Sequence, residues 1–262
     1  METIVIRNAL NSDKSKILNF CKNTFFWGDY IEYVWDYWIT EGSLFVVENQ
    51  NPIGMCHAFF SKNQVWIEGI RINSDFRRRG LASKLIQYIE LISKEKHVSF
   101  SSMLIDTKNL PSLLMAKNLN YKKSQIWNFY SLLPQINNNH KIQFAKNLNH
   151  TKISHYVKSW RWLSLDKEIL SSLCSKNKII FSDNSGDISI AILSDSEHFD
   201  KTLIVTLFAG SQKNTLDLIS YIQNYGAEQN YQKIQILTKE KLPFTSTLEH
   251  KITFNLMKKF LH

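Results

Sequence analysis

Along most of this chain apolar and polar residues alternate in short runs, and between those runs lie stretches where apolar residues recur every third or fourth position. The first pattern has the period of a strand and the second that of a helix. Residues 4–7 read as a short opening strand, and residue 13 to about residue 38 as helical, with Ile17, Leu18, Phe20 and Cys21 apolar and Asp13 as cap. Residues 44–48 and 53–60 form a hairpin about the turn 49–52, and residues 65–72 the next strand. A helix begins near Leu81, with Leu85, Ile86, Ile89 and Ile92 marking its buried face. Residues 99–106 are then a strand, 111–118 a helix and 126–132 a strand. The result is a mixed α/β (α+β) fold, a central mixed sheet flanked by helices, with a strand–turn–helix–strand unit at its centre.

Residues 135–140 are polar, lack periodicity and read as a linker between a domain at 1–134 and another at 141–262. Beyond the linker the order partly recurs. Residues 188–193 and 202–208 read as strands, 214–225 as a helix, 233–237 as a strand and 246–260 as a closing helix. This repetition marks the second half as a diverged duplicate of the first, a tandem arrangement.

Composition narrows the function. The net charge is +9, which invites a nucleic-acid reading. However, 16 of the 32 basic residues and 12 of the 23 acidic ones lie up to residue 134, so the excess is spread evenly. An even excess without a dense stripe speaks against a nucleic-acid surface. No apolar run is long enough to span a bilayer and the start lacks a secretory pattern, so no membrane partner is expected and the cytoplasm is the expected location. Cys21, Cys56 and Cys174 lie far apart and read as small buried residues. No metal site follows from them or from the histidines, and His57 reads as structural. The run 183–187 resembles a calcium loop but lacks the full acidic ladder, and a hairpin turn explains it better.

The candidate chemistry sits at Arg77-Arg78-Arg79-Gly80-Leu81-Ala82, an R-x-x-G-x-A pattern between a strand and an amphipathic helix. Unpaired N–H groups and the helix dipole make such a helix start an anion site. Gly80 lets the main chain approach a phosphate with no Cβ in the way, and Ala82 is small for the same reason. The three arginines add positive charge. Glu68 on the preceding strand and Asn109 at the next helix start give the pattern its spacing. The equivalent turn in the second half, Ala209-Gly210-Ser211-Gln212-Lys213-Asn214, is a poor phosphate cradle, so no second cofactor is expected there.

The segment 66–82, with Asn109-Leu110-Pro111-Ser112 and Leu119-Asn120-Tyr121, resembles the GNAT N-acetyltransferase superfamily over residues 3–133, and the two-domain order resembles its tandem members. Residues 25–38 with 68–72 are also similar to the histidine N-acetyltransferase group. The resemblance implies acetyl-CoA as cofactor: the main chain of Ile70, Arg71 and Ile72 along its pantetheine arm, Arg77, Arg78, Arg79, Gly80, Leu81, Ala82 and Ser83 about its pyrophosphate, and Asn109 and Ser112 near its distal end. It also implies Glu68 as the base that takes a proton from the amine, and the Ile70 N–H as oxyanion donor. Many members place a tyrosine seven residues after the asparagine to protonate the departing thiolate; here that position is Ala116. Tyr130 and Tyr121 are the substitutes considered, beside direct attack without a residue acid.

The acceptor is expected along Trp27, Asp29, Tyr30, Glu32 and Tyr33, an aromatic stretch in which Asp29, Glu32 and Asp36 would share a helix face. Aromatic walls with carboxylates suit a cationic amine. The resemblance therefore points to acetyl transfer onto a primary amine of a small molecule, with a peptide or protein amino group, or an acetyl-CoA sensor without turnover, as alternatives. A monomer or homodimer is expected.

Overall fold

The computed structural model of the chain describes residues 4–22, 24, 29–146, 153–244 and 246–261. It divides into two compact units, Met1–Ser124 with Leu256–His262, and Gln125–Asn255. The boundaries fall at residues 124–125 and 255–256.

The first unit contains β1 (Val5–Asn8), α1 (Lys14–Cys21), α2 (Ile31–Glu41), β2 (Leu44–Asn49), β3 (Asn51–Ser61), β4 (Gln64–Ile72), α3 (Leu81–Glu95), β5 (Phe100–Asp106), α4 (Leu110–Asn118) and the start of β6 (Lys122–Leu132). Its strands follow the order β1–β2–β3–β4–β5, antiparallel except for the parallel β4–β5 pair. One face carries Val47, Cys56, Ala58, Val65 and Ile67 against Leu81, Leu85, Ile86 and Ile89 of α3. The other carries Leu44, Val46 and Met55 against Ile17, Ile31, Val34, Trp35 and Trp38 of α1 and α2. The expected single helix from residue 13 to residue 38 is thus two. Asp13 does precede α1, but its carboxylate takes the Leu10 N–H (2.8 Å) and Arg7 (2.7 Å) instead of capping that helix.

The second unit holds β7 (Gln143–Phe144), β8 (His155–Lys158), β9 (Arg161–Ser164), α5 (Lys167–Ser175), β10 (Ile179–Ser182), β11 (Ser189–Asp195), β12 (Thr202–Phe208), α6 (Gln212–Glu228), β13 (Lys233–Thr238) and most of β14 (Glu249–Phe260). Its main sheet runs β6–β13–β12–β11–β10–β7, with β12 and β13 parallel. Residues 183–187 form the loop of the β10–β11 hairpin, as their turn residues indicate.

The closing helix expected at 246–260 is instead β14. Ile252, Phe254 and Leu256 fall on alternate positions, which is the period of a strand. The end of β14 belongs to the first unit and lies beside β5. There Leu261 N–H donates to the Ser99 carbonyl (2.9 Å) and Lys259 Nζ to Glu90 Oε2 of α3 (2.6 Å), while Met257 and Leu261 are buried in the α3 core.

Candidate functional site

The site is shaped by where β4 loses its partners. Its parallel pairing with β5 covers only Gln64, Val65 and Trp66, opposite Phe100, Ser101 and Ser102. From Ile67 to Ile72 the two strands splay, and among the described residues the β5-facing edge of β4 has no strand partner there. On its other edge β4 pairs with β3, but two steps of β3, Met55 to His57, face three of β4, Glu68 to Arg71. Gly69 is the extra residue of this bulge, at φ +66. A Cβ there would lie 2.4 Å from the Trp38 ring, so glycine is required by conformation and by space. The bulge also resets alternation: Ile67, Ile70 and Ile72 pack with α3, while Glu68 and Arg71 both reach the α2 face.

Beyond β4, a short turn leads to Gly80, which precedes α3 at φ +75 with no side chain capping the helix. A Cβ on Gly80 would meet nothing within 4 Å. Among the described residues, then, the turn is open at Gly80 and the helix start is uncapped, an arrangement suited to an anion. Arg77, Arg78 and Arg79 are exposed around it. Arg77 Nε donates to the Ile72 carbonyl (3.1 Å) and Arg79 to the Asp75 carbonyl (3.2 Å), with the Arg79 guanidinium over Phe76. Leu81 is buried, and Ala82 and Ser83 are half-buried in the first turn. Asn109 caps α4 by accepting the Ser112 N–H (3.2 Å), and its amide nitrogen remains a donor.

Residues 12–121 match the Acetyltransferase (GNAT) family. The first unit belongs to this family. Its members are acetyltransferases that use acetyl-CoA, and this GNAT domain has the open helix start and splayed strands that such a donor needs. Solved structures share the fold over the whole chain. A protein of Thermoplasma acidophilum assigned as an acetyltransferase superposes with a TM-score of 0.64 at 13% identity, over 98% of this chain and 99% of that one. A GCN5-related N-acetyltransferase from Sphaerobacter thermophilus gives 0.64 at 10% identity, over 99% and 96%. No curated protein matches the sequence.

On the α2 face of the GNAT domain, Glu68 Oε1 lies 2.9 Å from Nδ1 of the fully buried His57. His57 Nε2 meets the Gly42 carbonyl at 3.0 Å, with Glu41 Oε2 at 3.4 Å, and its ring stacks on Trp38 with centroids 4.7 Å apart. The sequence alone reads His57 as structural. Counting back along the β3–β4 hairpin from its turn at Lys62 and Asn63 places His57 opposite Glu68, a signal already present in the spacing.

The expected acid wall is not assembled. Asp29 forms a two-point pair with Arg71 (2.6 and 2.9 Å), both side chains nearly buried. Asp36 pairs with Lys14 (2.6 Å), and Glu32 and Tyr33 are exposed on the outer face of α2. The period of α2 explains this, since Ile31, Val34, Trp35 and Trp38 take its inner face. Tyr30 lies under the Arg71 guanidinium at 5.2 Å, and burial raises the pKa of its phenol. Trp27 lies outside the described residues.

The substitute acids are both engaged. Tyr121 donates to Ser101 Oγ (2.6 Å) in the core, where burial pushes its phenol well above the ordinary value. Tyr130 belongs to the second unit, and its hydroxyl accepts the Leu242 N–H (2.9 Å). Ala116 is fully buried. Cys21 and Cys56 are buried too, with burial pushing the Cys21 thiol up to about 12.

Proposed function

We propose that the GNAT domain transfers the acetyl group of acetyl-CoA to a primary amine of a small molecule, with Glu68 as the base. The observation that carries this reading is the coincidence of three features on one strand: the β4–β5 splay, the Gly69 bulge and the uncapped helix start after Gly80. When bound, acetyl-CoA supplies the activated acetyl thioester. The residues that would hold it are Ile70, Arg71 and Ile72 by their main chain in the splay, residues 77–83 at its phosphates, and Asn109 with Ser112 at the start of α4.

An ammonium has no lone pair, so the acceptor must lose a proton before it attacks. Glu68, at the mouth of the splay and held by His57, takes that proton. The Ile70 N–H, just after the bulge, donates to the oxygen that gains charge. Tyr30, Trp38 and the Arg71–Asp29 pair surround this side of Glu68 and favour a small amine over an extended polycation, because both acids nearest the site are already paired. The second unit acts as a degenerate GNAT-like domain that holds no acetyl-CoA. A soluble location in the cytoplasm belongs to the same reading; among the described residues no helix is long and apolar enough to cross a membrane.

A second reading, a sensor that binds acetyl-CoA without turnover, is favoured by Ala116 and by the engaged hydroxyls of Tyr121 and Tyr130. Mass spectrometry of a broad amine panel incubated with labelled acetyl-CoA separates the two. An acetylated product supports the enzyme; binding without product at mildly alkaline pH supports the sensor. If Glu68 is the base, Glu68→Gln abolishes the rise of rate with pH, because only the carboxylate form accepts the proton, and leaves acetyl-CoA affinity within about twofold.

A further inference from the structure

We propose that His57 is the positioning residue of the acetyl-transfer site, sharing one proton with Glu68 and thereby setting the orientation and protonation of that carboxylate. The inference rests on the reading of Glu68 as base. It begins from donor and acceptor accounting. The Gly42 carbonyl only accepts, so the 3.0 Å contact to His57 Nε2 requires a proton on Nε2. Glu41 Oε2, at 3.4 Å from the same nitrogen, favours that proton further. With Nε2–H fixed, Nδ1 carries either a lone pair or a second proton. A lone pair facing an ionised Glu68 at 2.9 Å would repel it, so the Nδ1–Oε1 line holds one proton in either arrangement.

The fold fixes each partner. The Gly42 carbonyl is presented because α2 stops there, where Gly42 takes φ +85 and its N–H closes on the Trp38 carbonyl (3.0 Å). Trp38 covers one face of the imidazole at an interplanar angle of 4°, so the ring cannot rotate without unpacking α2. The Gly69 bulge keeps Glu68 in register with His57 before the strand shifts. Among the described residues, the charged groups around the ring include Glu41 from α2, Glu68 from β4 and, beyond Glu68, the Arg71–Asp29 pair. Glu41, His57 and Glu68 also offer ligand atoms within 4.8 Å of one another, as a cation would need. Both ring nitrogens already have partners on opposite edges, however, which marks a proton site.

In the reaction an N–H bond of the ammonium breaks, its electron pair stays on nitrogen, and an O–H bond forms on Glu68. His57 holds that carboxylate in place and supplies the donor that lets it stay ionised within the fold until the amine arrives. Glu41 offsets the charge left on the ring side once Glu68 is neutral.

The test combines 15N spectra of the histidines with pH–rate profiles. The wild-type spectrum should show a proton on His57 Nε2, and an Nδ1 signal that changes in Glu68→Gln. His57→Phe, which retains stacking on Trp38, should lower kcat at least tenfold, move the acid limb of the profile up by one pH unit or more, and leave acetyl-CoA affinity within twofold. His57→Gln, whose amide donates to Glu68, should recover most of that shift; it and the wild-type spectrum keep the test decisive if the Phe variant does not fold. An unprotonated Nε2, or an acid limb unmoved in both variants while Glu68→Gln removes it, overturns the inference and leaves Glu68 as base. An acid limb that persists in Glu68→Gln overturns the base assignment and the inference together.

Discussion

The first turns of α3 and α6 each follow the first strand of a parallel pair, one in each unit, and they have opposite surroundings. Before α3, Gly80 is left-handed, uncapped and bordered by open space. Before α6, Ser211 accepts the Asn214 N–H (3.3 Å), and the β10–β11 loop lies over the helix start. Ser211 N–H donates to the Asp187 carbonyl (2.8 Å), Gly210 N–H to Ser189 Oγ (2.9 Å), and Asn214 Nδ2 to the Ser185 and Asp187 carbonyls (2.8 Å each). A Cβ on Gly210 would lie 2.3 Å from the Asp187 carbonyl oxygen. The neighbouring strands differ in the same sense. β4 and β5 pair over three residues and splay, whereas β12 and β13 pair over six, from Thr202 to Leu207 opposite Lys233 to Thr238. In one unit the helix start is uncapped and open; in the other Ser211 caps it and the β10–β11 loop is bonded to it. Glycine serves both ends for different reasons, conformation at residue 80 and close approach at residue 210.

This contrast is open to attack by mutation. The largest effect is expected for Gly80→Asp, which sets a carboxylate against phosphate. Acetyl-CoA affinity measured by calorimetry should fall at least about 100-fold, or roughly 2.7 kcal/mol. An unchanged affinity would mean that the turn has been misassigned. Gly210→Ala should act on folding alone, costing about 2 kcal/mol because loop backbone must move, read as a drop in Tm with acetyl-CoA affinity intact. Gly80→Ala, with space for its methyl but a left-handed backbone, should cost only about 1 kcal/mol. If the two alanine variants lost equal stability, the two glycines would not differ as described. Ser211→Ala should remove about 1 kcal/mol as a lost cap, without creating a second acetyl-CoA site.

How much of this was legible in the sequence depends on how local each feature is. The turn at 77–82 needs only a glycine, small neighbours and a following amphipathic helix, so it could be read directly. The strands about it were legible for the same reason. Asp29 and Arg71 are 42 positions apart, and only folding shows that their pairing removes the acid from the expected acceptor wall. The His57–Glu68 pair was within reach through hairpin register, yet a lone histidine on a strand gives no hint of it without that count. Lys259 and Glu90, 169 positions apart, meet because residues 249–260 form a strand that ends in the first unit. Reading that stretch as a helix conceals the contact.

The central claim is that acetyl-CoA binds the unit whose helix start is open and not the one whose helix start is covered. Calorimetric titration of the whole chain with acetyl-CoA tests it most directly. One molecule bound per chain, and none in Gly80→Asp, is the expected result; two per chain, or one that persists in Gly80→Asp, would contradict it.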